Sequence, residues 1–362
     1  MADMALCWSL QAPLLLLFSS AFRLTSSSLE EPRDPWVSAQ NCSMEQIATE
    51  NMKSGTMTVL LPSLYLVALV LGLPSNLLAL WVLLFRTKKQ PSTILLINLT
   101  TCDLLLLAVL PFRIAYHFQG NNWTLGEPFC RLVMALFYGN MYGSMLCLAL
   151  IAFDRYLALV HPLRALTLRG LHHTVPMSVA VWVVVLAAMA PLLATQQTHP
   201  IKNRNITTCH DVLPLDKQPN FFLPYFVSLF CICFVPSFLV VVFCYGCVLR
   251  KNTDNRFRYA VHATVLVMGV CLVCLLPSNV LMILRNINWL EVVEGWSQVI
   301  HLHMAYMLAL ALSAFNSCLN PLNLYYLSTD FQKKMQQAMC HRDLSQCSTL
   351  RPNNKRLSLM PT

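Results

Sequence analysis

Charge is what this 362-residue chain has least of: Asp, Glu, Lys and Arg make up 11% of it, against 56% hydrophobic residues. A soluble domain carries roughly a quarter charged residues, so a soluble globular enzyme or carrier is excluded. The basic residues do not form runs interleaved with aromatics, so nucleic acid is not a partner. No nucleophile–base set and no zinc-type Cys/His spacing occur. His172, His173, His301 and His303 read as loop or helix-face histidines, and the chain is read as neither an enzyme nor a metal protein. There is no internal repeat and no pair of broken apolar segments, which a transporter would tend to show.

What is present in excess is long apolar sequence. Seven segments, Met57–Phe85, Ser92–Tyr116, Leu132–Phe153, Val175–Ala194, Phe221–Leu249, Tyr259–Leu284 and Val299–Leu327, each reach the roughly 20 residues a helix needs to cross a bilayer. The only Asp, Glu, Lys or Arg well inside them is Asp103, with Arg113 near an outer end. The expected fold is an all-α seven-transmembrane helix bundle with a short membrane-surface helix after the seventh span. The connections at 86–91, 155–174 and 250–258 and the tail after Leu327 hold 16 of the 25 Lys and Arg, so they are cytoplasmic and the N-terminus is outside. The net charge of +9 is thus a topology signal.

Residues 1–21 read as a secretion signal, with the apolar core "APLLLLF" and small residues Ser19 and Ala21 before the cut. Residues 22–56 read as a flexible extracellular segment, 57–327 as the bundle and 328–362 as a cytoplasmic surface helix and tail. Three glycosylation sequons, at Asn41, Asn122 and Asn205, fall on the side that charge makes extracellular. Of 15 cysteines only Cys42, Cys130 and Cys209 are clearly outside. Cys130 opens the third span and Cys209 lies in the loop before the fifth; these two are expected to pair, leaving Cys42 odd. In "STDFQKKMQQAMC", Phe331, Met335 and Met339 form one apolar stripe beside Lys333 and Lys334, as in a helix lying on lipid, with Cys340 a palmitoylation point. Ser345, Ser348, Thr349 and Ser358 could take phosphate and recruit arrestin.

The third span closes in "IAFDRYLALVHPL", with Asp154-Arg155-Tyr156 one membrane crossing after Cys130. Asn76 lies in the first span, Asp103 in the second, Trp182 in the fourth, Pro236 in the fifth, Pro277 in the sixth and "NSCLNPLNLYY" in the seventh. With these landmarks in order, the sequence resembles the rhodopsin-like (class A) G-protein-coupled receptors over nearly all of residues 57–340. A lone carboxylate in the bilayer needs polar company, and Asn76, Ser144, Asn316 and Asn320 are its candidates. The resemblance implies a sodium-binding switch at Asp103, and a carboxylate with hydroxyl and amide oxygens suits a hard cation; no other cofactor is expected. It also implies that Asp154 holds Arg155 at rest and that Asp154, Arg155 and Tyr156 couple to a heterotrimeric G protein. Two tyrosines depart from the pattern: Cys244 and Leu324 occupy their usual slots, with Tyr245 and Tyr325 one place later. Leu275 stands where a tryptophan is common.

"NITTCHDVLPLD", "ALFYGNMYGS", "PFRIAYHFQGNNW" and "DRYLALVHPLRALTLRG" narrow the resemblance to the protease-activated receptors, the last two nearest to the fourth member of that family. Such receptors carry their own ligand: a trypsin-like serine protease, thrombin or trypsin, cuts the N-terminal segment after a basic residue. The stretch "LEEPRDPWV" suits this, with Arg33 after Pro32. A cut between Arg33 and Asp34 would expose Asp34-Pro35-Trp36-Val37, with Trp36 an apolar anchor. His210, Asp211 and Asp216 of the second extracellular loop are the expected binding residues, Asp211 pairing the new ammonium. The implied partners are that protease, a Gq-type G protein, arrestin and membrane lipid, at the plasma membrane. The alternative reading is a rhodopsin-like receptor for a diffusible anionic lipid or nucleotide, bound by Arg113, His117, Arg131 and Arg285.

Overall fold

The computed structural model describes residues 54–201, 205–212, 221–251, 269, 273–286 and 296–327, without the side chains of 166, 296–300 and 322–327. Among these, six helices are long and apolar enough to cross a membrane, and Val273–Asn286 is a shorter apolar helix. In chain order the elements are α1 (Thr56–Phe85), α2 (Pro91–Phe118), α3 (Glu127–Val160), the short α4 (Pro162–Leu168) and α5 (Leu171–Ala194). The strands β1 (Thr198–Ile201) and β2 (Ile206–Cys209) follow, then α6 (Leu223–Arg250), α7 (Val273–Asn286) and α8 (Trp296–Leu327). α3 outruns its apolar segment by about three turns and α5 by about one. Polar residues at the ends can still satisfy the backbone there in water or at headgroups, so hydropathy alone underestimates helix length.

Prolines mark where helices begin or bend. Pro91, Pro128 and Pro162 occupy the first positions of their helices, where the missing N–H costs nothing, and Pro62 of α1 follows a π turn at Thr56–Leu60. Pro74, Pro111, Pro176, Pro191 and Pro321 lie inside helices, each freeing a carbonyl. In α6 the turn Phe230–Phe234 widens to π geometry just before Pro236, relieving the clash between the proline ring and the preceding turn. Because the widening precedes Pro236, it leaves the spacing from Pro236 to Tyr245 unchanged. Cys244 and Tyr245 are both buried, so the displaced tyrosine still packs inward.

α3 is the central post: every residue from Phe137 to Ala149 is buried. Its glycines allow that crowding, since a Cβ on Gly143 would lie 3.2 Å from the Cys102 sulfur. Around it the other helices turn apolar stripes outward, among them Val59, Val70 and Leu71 of α1 and Val179, Val183 and Leu186 of α5. In a soluble protein these would be an aggregation liability; here they are the lipid-facing surface. Among the described residues the one departure from an all-helical reading is the antiparallel β1–β2 hairpin, with Thr198 opposite Cys209 and Ile201 opposite Ile206. Strands of four residues, one containing Pro200, carry too little alternation to be read from sequence.

Candidate functional site

The outer end of the bundle is capped by the second extracellular loop, and the cap is tied down at several points. The Cys130–Cys209 disulfide joins the start of α3 to the end of β2, with Cα atoms 5.8 Å apart. The Trp123 amide donates to the Thr207 carbonyl at 2.7 Å, and the Thr207 amide to Asn122 Oδ1 at 3.1 Å. Glu127 accepts the Gln197 and Thr198 amides, each at 2.8 Å, the Thr198 hydroxyl, and Arg131 Nε at 2.6 Å. Arg131 in turn reaches the carbonyls of Leu193 and Ala194, closing the end of α5.

The hairpin delivers His210 and Asp211 into the bundle, where both are buried. His210 turns the chain in the left-handed region at φ 68°. Its Nε2 lies 2.9 Å from the Tyr138 hydroxyl, which lies 2.5 Å from the Tyr306 hydroxyl of α8. Burial, with the Arg285 cation nearby, pushes the His210 pKa down to about 3, so the ring is neutral. Asp211 accepts from Arg113 at 3.4 Å and from the Tyr116 hydroxyl at 2.7 Å, while its carbonyl accepts from Arg285 at 3.3 Å. Burial is the largest influence and opposes its charge, but Arg113, His117, the Tyr116 hydroxyl and His303 together outweigh it and hold the carboxyl below the usual range. Four elements therefore converge on two loop residues: α2 through Arg113 and Tyr116, α3 through Tyr138, α7 through Arg285, and α8 one bond further back, through Tyr306 on Tyr138. Around them the Tyr65 hydroxyl, His117 Nε2, Arg113 Nε, Arg285 Nε and His303 Nδ1 are buried without a hydrogen-bond partner. Such orphans are costly in a closed interior, and a polar ligand entering here would satisfy them.

At mid-membrane, Asp103 accepts from the Ser317 hydroxyl at 2.8 Å, Asn320 Nδ2 at 2.9 Å, Asn140 Nδ2 at 3.2 Å and the Ser144 hydroxyl at 3.4 Å. Of the residues expected there, Ser144 and Asn320 touch the carboxylate. Asn76 instead donates to the Ser317 carbonyl at 2.8 Å, and both polar atoms of the Asn316 side chain are unpartnered. Sequence reasoning missed Asn140 and Ser317. Asn140 lies four places before Ser144 and Ser317 three places before Asn320, so a helical-face search from Ser144 and Asn320 would have found them. The amide oxygens of Asn76, Asn316 and Asn320 are buried and unpartnered. Together with the carboxylate they are an oxygen set that fits a hard cation.

At the cytoplasmic end one expectation is corrected. Asp154 does not hold Arg155; both its oxygens accept from Arg169, at 2.7 and 3.0 Å, and Ser92 donates to one of them at 3.2 Å. Arg169 lies just after α4, and its fork reaches Asp154 where the adjacent Arg155, projecting from another side of the same helix, cannot close a comparable pair. Arg155 Nε is buried without a partner. Lys251 donates to the carbonyls of Leu159 and Val160, tying the end of α6 to the end of α3. Arg33 to Val37, Asn41, Asp216 and Cys340 lie outside the described residues. Asn205 is exposed at the hairpin turn, and Asn122 is half-buried beneath it.

A model of the 7 transmembrane receptor (rhodopsin family) matches residues 75–325. The chain is 43% identical over 288 residues to proteinase-activated receptor 4 of Mus musculus, covering 79% of this chain and 71% of that protein. It is 42% identical to proteinase-activated receptor 4 of Homo sapiens over 288 residues, 79% of this chain and 73% of the relative. Over 307 residues it is 36% identical to proteinase-activated receptor 1 of Xenopus laevis, covering 83% and 71%.

Proposed function

The chain belongs to the rhodopsin family of seven-transmembrane receptors and, within it, to the proteinase-activated receptors, and from that premise we propose how it is switched. A trypsin-like protease cuts the extracellular segment after Arg33. The new terminus, Asp34-Pro35-Trp36-Val37, enters the bundle beside His210 and Asp211 of the second extracellular loop, and the change of helix packing is passed to a G protein on the inner face. The observation that carries this reading is the convergence of four helices on His210 and Asp211. A ligand that moves those two loop residues alters contacts to α2, α3, α7 and α8 at once, which a transmembrane switch requires.

The α-ammonium of Asp34 competes with Arg113 and Tyr116 for the Asp211 carboxylate, with Asp216 and His210 completing the contact. Tethering raises the local ligand concentration to about millimolar, so individually weak contacts suffice. A diffusible anion is a poorer fit, because Arg113 is already neutralised by Asp211. On the inner face Arg155 meets the G protein, of Gq type, and the tail bears arrestin sites and a Cys340 lipid anchor. Asn41, Asn122 and Asn205 carry sugars. Asp103, with Ser144 and the buried amide oxygens, would hold a sodium ion, whose charge would neutralise the carboxylate and favour the resting packing. The binding half is tested by dose–response to thrombin and to a soluble peptide beginning Asp-Pro-Trp-Val. Asp211→Asn should lose about tenfold or more in potency to both, equal to about 1.4 kcal/mol. Tyr116→Phe, which frees one carboxylate oxygen without unpairing Arg113, should lose none. Unchanged potency in Asp211→Asn at normal surface level would remove Asp211 from the site.

A further inference from the structure

Gln197, fully buried at the root of the hairpin, has a side chain that can be oriented without ambiguity. Its Nε2 lies 3.3 Å from the Leu192 carbonyl and 3.2 Å from the Thr195 carbonyl. Carbonyl oxygens only accept, so the amide nitrogen faces them and Oε1 faces the other way, 2.6 Å from His210 Nδ1. That oxygen can only accept, so Nδ1 must carry the proton. The neutral ring then has its lone pair on Nε2, where it accepts from the Tyr138 hydroxyl at 2.9 Å. With its one proton so used, the Tyr138 oxygen accepts from the Tyr306 hydroxyl at 2.5 Å. A row of donors thus runs one way, from α8 through α3 to the loop. A second bond fixes the same pair, since the His210 amide donates to the Gln197 carbonyl at 2.9 Å. Gln197 is itself held by Glu127, which accepts its amide at 2.8 Å.

We propose that Gln197 is a positioning residue: it sets the tautomer and orientation of His210, and through them links the second extracellular loop to Tyr138 and Tyr306. The link rests, for its use in signalling, on the reading of this loop as the ligand site. A ligand that turns the His210 ring deprives Tyr138 of its acceptor, and Tyr306 on α8 then loses a fixed partner. Glu127 acts one step further back. By clamping the amides of residues 197 and 198 it keeps the glutamine under the histidine.

The direct test is side-chain nitrogen and carbon NMR of histidine-labelled receptor in lipid nanodiscs, with the His210 signal assigned by its loss in His210→Asn. The wild-type ring should show the Nδ1–H tautomer, and Gln197→Met should abolish that preference. An Nε2–H tautomer in the wild type, a measurement needing no variant, or an unchanged tautomer in Gln197→Met overturns the proposal. The second arm is a double-mutant cycle on thrombin-evoked signalling, with release of an N-terminal epitope scored separately as cleavage. Gln197→Met should lower potency about tenfold alone and less than twofold on a His210→Asn background; additive losses overturn the proposal. If the tautomer result holds while cleaved wild-type receptor stays silent, the positioning role stands and the protease-receptor reading fails.

Discussion

His210 is a histidine that gives up its usual chemistry to serve as a wedge. Buried and neutral, with a pKa of about 3, it becomes an ordinary imidazole of pKa near 6.5 once the loop opens. The folded pKa is the lower one, so its contribution to stability is fully present above about pH 6.5 and is lost as pH falls toward 3. At pH 5 the loss is about 2 kcal/mol. The melting temperature of detergent-solubilised receptor should fall between pH 7 and pH 5, and His210→Asn should flatten part of that slope. An equal slope in the variant would assign the effect to other groups. At the inner end, Arg155→Ala should keep surface expression and lose calcium or Rho-type responses, because the arginine proposed to meet the G protein is gone; intact responses would sink its role. Arg169→Ala should destabilise by about 1–3 kcal/mol, since it leaves the buried Asp154 carboxylate without its charged partner. That role was not legible in the sequence. Asp154 and Arg155 are neighbours in the chain, whereas the side chain that closes on Asp154 comes from 15 residues on, across a loop whose path sequence does not state.

The six long helices, by contrast, were legible as elements, because each is an uninterrupted apolar run long enough to cross lipid and such runs have no other stable conformation there. What could not be read was how closely they approach. Gly72 of α1 faces Leu107 of α2 and Cys318 of α8; a Cβ there would lie 2.9 Å from a Leu107 methyl and 3.1 Å from the Cys318 sulfur. Gly72→Val should therefore push three helices apart and cost about 1–3 kcal/mol, seen as a lower melting temperature with loss of surface receptor. An unchanged melting temperature would mean the side chains yield freely. The hairpin, like the short α4, was missed in the sequence, and it is the element that places the proposed ligand-binding residues. Its stability comes from the disulfide, the Glu127 clamp and Trp123 rather than from strand propensity. Cys130 and Cys209 were readable as a pair from topology. Glu127 and Gln197 gave no signal, since an acid at a helix start and an amide in a loop are ordinary residues.

For the whole molecule, orientation came from the distribution of 25 basic residues and the family from motifs spaced one membrane crossing apart. Membrane proteins are favourable in this respect, because the bilayer fixes lengths and sides before any packing is known. Polar chemistry inside the bundle was only half legible. Asp103 announced itself by being alone in lipid-length sequence, but two of its four hydrogen-bond donors, Asn140 and Ser317, did not. The account joins three levels: a cut in the N-terminal segment, a loop wedged into four helices, and an arginine at the inner face. Its central claim is that the signal begins with cleavage between Arg33 and Asp34. The most direct measurement is mass-spectrometric sequencing of the receptor N-terminus after brief thrombin or trypsin treatment of intact cells, in parallel with calcium release. The account predicts a new terminus beginning Asp-Pro-Trp-Val that appears in step with signalling, both being lost in Arg33→Gln, while that variant still answers the soluble peptide. Protease-evoked signalling that persists in Arg33→Gln, with a new terminus beginning elsewhere, such as after Arg23, would contradict it.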